Sequence, residues 1–101
     1  MKNILSSYNK IFDGKVRLGI MSVLMVNDSL DFSALKELLG LSDGNLASHI
    51  RALEEATYLS VNKQFLGRKP NTSYIATDEG RKAFQEHLNA LEELIKSQFA
   101  K

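Results

Sequence analysis

Between positions 42 and 51 the sequence places Ser42, Gly44, Asn45, Ser48, His49 and Arg51 within a single ten-residue stretch. A second group, Lys63, Arg68, Lys69 and Thr72, falls in residues 61–72, which hold three bases and no acid. The chain from Asp78 onward has five acids against four bases, and the whole-chain net charge is only +1. An amide such as Asn45 can pair twice with an adenine edge, and a guanidinium such as Arg51 can reach guanine or phosphate. Hydroxyls such as those of Ser42, Ser48 and Thr72 suit phosphate oxygens. Lys63, Arg68 and Lys69 can lie along a phosphate backbone or enter a minor groove. A local basic finger on a near-neutral body fits polyanion contact better than the same charge spread evenly.

Other chemistries find little support. Ser42, Ser48 and His49 are close in sequence, but no carboxylate stands where it would orient the histidine. The second histidine, His87, belongs to a different element, and there is no cysteine. Neither metal-ligand spacing nor a glycine-rich phosphate loop is present, so no cofactor, no metal and no enzymatic activity are expected.

The elements that must carry these residues follow from periodicity. Leu46, Ile50 and Leu53 form the inner stripe of a helix over 43–57, started by Ser42 as N-cap. The opposite face then carries Gly44, Asn45, Ser48, Arg51 and Glu55, with Ala47 and His49 flanking the stripe. A preceding helix, capped by Ser33, turns Leu35, Leu38 and Leu39 inward and stops at Gly40. From Leu59 the period changes to two, with Leu59, Val61 and Phe65 on one side of a strand. Residues 67–71 form the tip, read as too long for a two-residue turn, and 72–77 return. Upstream, residues 4–12 read as a short amphipathic helix, and Asp13 as the cap of a core helix over 15–27. Residues 30–32 read as a very short strand. A final helix over 78–98 starts at Thr77, with Asp78 and Glu79 in its first turn. The expected fold is mainly α with a small β-hairpin: a winged helix-turn-helix with additional terminal helices, forming one domain over residues 1–101.

At 101 residues, 44% hydrophobic and 25% charged, the chain is an ordinary globular sequence with a small core, and a homodimer is expected. Phe84, Leu88, Leu91 and Ile95 recur at alternating steps of four and three, the spacing of a helix–helix seam. With Ile4, Leu5, Tyr8, Ile11 and Phe12 they make the expected dimer interface, whose cleft has room for a small effector of no identity written in the sequence. No apolar run approaches the roughly 20 residues of a membrane span, and no signal peptide is read, so a cytoplasmic location is expected.

Residues 41–56 (Leu-Ser-Asp-Gly-Asn-Leu-Ala-Ser-His-Ile-Arg-Ala-Leu-Glu-Glu-Ala) closely resemble the recognition-helix segment of small winged-helix transcriptional regulators of the MarR and ArsR groups. Residues 16–21 resemble the first core helix of that family, 30–32 its short strand, 67–72 its wing and 77–81 the start of its last helix. The resemblance covers roughly residues 5–97. It departs at Asp78, where many members have Pro, and at Thr57, where they often have Gly or another residue without a hydroxyl. It implies a dimer formed through the terminal helices, presenting two recognition helices to a pseudo-palindromic DNA operator. A winged helix that instead binds protein is the competing reading. Arg68, Lys69 and the absence of a large aromatic from the outer recognition face favour DNA.

Overall fold

The structure, a computed structural model, describes residues 8–99, with side chains described through Lys96. A 3-10 turn at Lys10–Phe12 leads into α1 (Lys15–Met25), β1 (Leu30–Asp31), α2 (Phe32–Leu39), α3 (Asp43–Glu55), β2 (Leu59–Leu66), β3 (Lys69–Ala76) and α4 (Asp78–Phe99). The three strands form one antiparallel sheet in the order β1-β3-β2, with Leu30 opposite Tyr74 and Leu59 opposite Ala76. Four helices and this sheet make a winged-helix fold, as the periodicities indicate.

Burial explains the arrangement. Ile20, Met21 and Leu24 of α1, Leu35 of α2 and Leu46 and Leu53 of α3 are wholly withdrawn from solvent. They meet Leu59, Tyr74 and Ala76 from the sheet and Phe84 from α4 in one cluster. Phe12 plugs the end of this cluster. Its ring stacks on Tyr58 at 5.4 Å and meets Phe84 edge-on at 5.3 Å. Burying an aromatic of this size is among the larger single contributions a small core can receive.

Several local expectations are corrected. The helix expected over 4–12 survives, among the described residues, only as the 3-10 turn, capped by the Asn9 side chain. Asp13 does not cap α1; Gly14 stands at that N-cap, and the Asp13 carboxylate accepts from the Tyr8 hydroxyl instead. The N-cap of α2 is Asp31 rather than Ser33, because its carboxylate accepts from the Ala34 N–H at 2.7 Å. The inward stripe of α2 therefore centres on Leu35, and Leu38 is 61% exposed. The helix over 43–57 ends at Glu55, because Thr57 turns into the left-handed region at φ 67°. Ser42 and Gly40 cap α3 and α2 as expected.

The junction of α4 with the rest is unusually close. Thr77 caps α4 through the Gly80 N–H, and its own hydroxyl donates to the Thr57 carbonyl at 2.7 Å. A Cβ on Gly80 would stand 2.2 Å from the Tyr58 carbonyl oxygen, so only glycine permits this approach. One residue on, the Arg81 guanidinium donates to the carbonyls of Leu24 and Met25 at the end of α1. Those oxygens have no partner within their own helix.

Candidate nucleic-acid interface

The outer face of α3 is built by what its inner face buries. With Leu46, Ile50 and Leu53 committed to the core, Gly44, Asn45, Ala47, Ser48 and Arg51 are left in solvent. Ser42 Oγ accepts from the Asn45 N–H at 3.2 Å, leaving its O–H free to donate outward. The start of α3 is not a free anion site, however. Asp43 occupies the first turn and pairs with Lys36 at 2.8 Å, so a carboxylate already answers the helix dipole.

His49 flanks the buried stripe, as its place in the helix period indicates. It is half-buried, and its Nδ1 accepts from Arg17 Nε at 3.1 Å, while Arg17 also reaches the Ile11 carbonyl. Burial first, and the Arg17 charge second, hold its pKa below the usual histidine value. The Arg17 contact makes His49 a strut between α1 and α3.

β2 and β3 form the wing, a ribbon paired from Leu59–Ala76 out to Leu66–Lys69. Its tip is tighter than the run of loop-forming residues indicates: Gly67 and Arg68 alone make the turn, with Gly67 at φ 66°. A positive φ at the first of two loop residues is the type II′ pattern, whose twist matches a ribbon. Pro70 is tolerated inside β3 because it faces Phe65 at a pair beside the turn, where the missing N–H breaks no ladder bond.

Between α3 and the wing lies an open groove of about 640 Å³. Ala47, Arg51 and Glu54 form its α3 wall, Lys63 and Thr72 its wing wall, and Phe32, Ile50, Val61 and Tyr74 its apolar floor. Lys63 and Thr72 are direct cross-strand partners, so they share one face of the ribbon. The fold thus brings Arg51, Lys63 and Thr72 together from two segments of the sequence. Arg68 and Lys69 stand apart at the tip, roughly 10 Å farther out at about 3.4 Å per residue. Glu54 and Tyr74 escape sequence reasoning as groove residues, since only the strand register reveals which wing residues face α3. Burial, and secondarily the charge of Glu54, raises the Tyr74 pKa, so its hydroxyl stays protonated.

The expected dimer residues divide. Phe12 and Phe84 are buried in the protomer's own core and so are not free to meet another chain, while Ile11 packs against that core and is half-buried. Tyr8 turns its ring edge to His87 at 4.8 Å. His87, 1% exposed, accepts the Asn9 N–H on Nδ1, and burial lowers its pKa. The stripe at 84, 88, 91 and 95 lies some 70° round from the buried face of α4, which runs through Gly80, Phe84, His87 and Ala90. Leu88 is therefore 39% exposed and Ile95 59%, with Leu91 half-buried between them. Ile4 and Leu5 lie outside the described residues. Among the described residues no helix is long and apolar enough to cross a membrane.

Comparison with known proteins agrees with this geometry. The family described as winged helix DNA-binding domain matches residues 16–95. An uncharacterized protein of Methanocaldococcus jannaschii is 34% identical over 88 residues, covering 87% of this chain and 96% of its own. The solved structure of a transcriptional regulator homologue from Pyrococcus horikoshii superposes with a TM-score of 0.84 at 34% identity. It spans 94% of this chain and 92% of its own. The fold alone is shared with Bordetella bronchiseptica BpsR, at 14% identity, a TM-score of 0.71, and 96% and 74% coverage of the two chains. BpsR is a protein whose DNA binding is regulated by 6-hydroxynicotinic acid.

Proposed function

The chain belongs to the winged helix DNA-binding domain family, and from that premise we propose that it is a homodimeric transcriptional regulator that binds double-stranded DNA sequence-specifically. In this reading α3 enters the major groove and the wing lies on the neighbouring backbone and minor groove. The observation that carries it is the groove between them. Arg51, Lys63 and Thr72 line its two walls, a base and a donor on the wing facing a guanidinium on α3, and all three suit phosphate oxygens. Arg51 acts there on phosphate, and Asn45 and Ser48, on the exposed face beside the small Gly44 and Ala47, read base edges.

The dimer is proposed to form on the far half of α4. This helix of 22 residues is about 33 Å long, and among the described residues the last buried one is Ala90. Leu88 and Ile95 then offer an exposed apolar strip in line with its axis.

The test is selection of bound sequences from random duplex DNA, followed by titration of the winner at two salt concentrations. Enrichment of an inverted repeat, with affinity falling steeply as salt rises, is the expected result. No enrichment and weak, salt-insensitive binding would sink the proposal and favour a protein-binding winged helix. Sedimentation of the Leu88→Asp, Ile95→Asp double variant tests the dimer separately: a wild-type dimer and a folded monomeric variant are expected.

A further inference from the structure

The end of the wing carries apolar surface that the fold does not use. Phe65 is 71% exposed and Leu66 60%, although the alternation along β2 places Phe65 on the same side as the buried Leu59. The reason is length: the ribbon continues past the core, so its inward face at the tip meets no protein. Phe65 and its partner Pro70 form one rigid apolar face, and Leu66 lies opposite Lys69 on the other. Arg68 occupies the turn between them. Exposed apolar residues at the end of an edge strand invite aggregation, and sequences usually replace them. Here they stand exposed, with Lys63 two residues along the same face, Lys69 opposite Leu66 and Arg68 in the turn, in a segment (61–72) without an acid.

We propose that this tip is a wedge for the minor groove of duplex DNA: Phe65, backed by Pro70, inserts against a base step while Arg68 and Lys69 hold the flanking phosphates, so that binding opens and bends the duplex. The inference rests on the DNA-binding reading and adds to it a deformation and a source of sequence preference. The three bases select a polyanion, and the flat aromatic selects one with stacked faces to separate. Size points the same way. The two strands of a ribbon are about 4.8 Å apart before side chains are added, and a minor groove is about 6 Å wide. The tip therefore cannot seat in the groove unless the groove widens. Widening is easiest at flexible thymine–adenine steps and hardest in a stiff A-tract, so the wedge reads deformability without hydrogen bonds to bases.

Two duplexes about two helical turns long separate this effect from phosphate attraction: one of alternating thymine–adenine steps, one an A-tract. Both have the same length, charge and base content, and each carries a central 2-aminopurine, which brightens when unstacked. The full chain is expected to bind the alternating duplex on the order of tenfold more tightly and to raise its fluorescence. Phe65→Ala is expected to bring the two affinities within about twofold and abolish the rise, and Phe65→Trp to keep both effects. Because Phe65 lies outside the core, the melting temperature of Phe65→Ala should stay at the wild-type value. Salt-sensitive binding without any rise, or a rise that survives Phe65→Ala, overturns the wedge and leaves DNA binding standing. Binding to neither duplex at low salt overturns both readings.

Discussion

Gly44 is the second residue of α3, and in the folded chain nothing lies within 4 Å of the place a Cβ would take. Glycine within a helix is less stable than alanine by about 0.5–1 kcal/mol, through the extra freedom it loses on folding. In the first turn, short of the helix interior, the lower figure applies, so Gly44→Ala should stabilise the fold by about 0.5 kcal/mol. For a chain of this size that raises the melting temperature by about 2–4 °C, measurable by circular dichroism or calorimetry. The same methyl should harm binding. It projects from the face that approaches base edges, and holding the helix off by even part of its radius weakens the paired hydrogen bonds of neighbouring Asn45. Such a pair is worth about 1–3 kcal/mol, so affinity for the selected site should fall on the order of tenfold. The variant would thus be a more stable protein and a poorer binder. A lowered melting temperature would refute the open space assigned to this position. A raised one with unchanged affinity and unchanged site preference would refute the placement of this face against DNA.

Gly80→Ala should do the opposite, because its Cβ meets backbone 2.2 Å away; a loss of about 3 kcal/mol or more is expected in urea unfolding. Arg68→Ala and Lys69→Ala should weaken binding to every duplex alike, and the slope of log affinity against log salt should flatten by about one unit per lost phosphate contact. Stability should also depend on pH through His87 and His49, whose folded pKa values are lowered by burial, Asp13 opposing only in part at His87. The unfolded chain, with histidines near about 6.5, then binds more protons in the window below that value. Stability is therefore expected to be flat above neutral pH and to fall as the pH drops below about 6.5, and urea midpoints at about pH 5.5 and 7.5 check this. Equal midpoints would mean that neither histidine is held neutral by the fold.

Much of the scaffold is legible in the sequence because its signals are local. The stripe of Leu46, Ile50 and Leu53, the caps at Ser42 and Thr77 and the stop at Gly40 depend on near neighbours alone. Competing caps are harder: Asp31 and Ser33 both suit an N-terminus, and the choice turns on which reaches Ala34. The tip misleads because Lys69, Pro70 and Asn71 look like loop residues, while the two-residue Gly67–Arg68 turn keeps them in the ladder. The place of His49 is hidden because its partner, Arg17, is 32 residues away. The seam on α4 looks like one surface, but the core claims Phe84 and leaves Leu88 and Ile95 outside. No periodicity reveals where along a helix the body of the protein ends. The groove is legible in its parts, Arg51 and Lys63, but their convergence needs the strand register.

The Gly80 and Arg81 contacts make the root of α4 a fixed joint, held on one side by the backbone of Tyr58 and on the other by the end of α1. In a dimer joined farther along α4, the distance and twist between the two copies of α3 are then set by the protein and cannot follow the DNA. One inserted base pair between half-sites turns them by about 35° and parts them by about 3.4 Å, which a rigid mount cannot absorb. The protein would act as a gauge of spacing as well as a reader of bases, and a flexible substitute at position 81 should make it forgiving of an operator with one base pair too many.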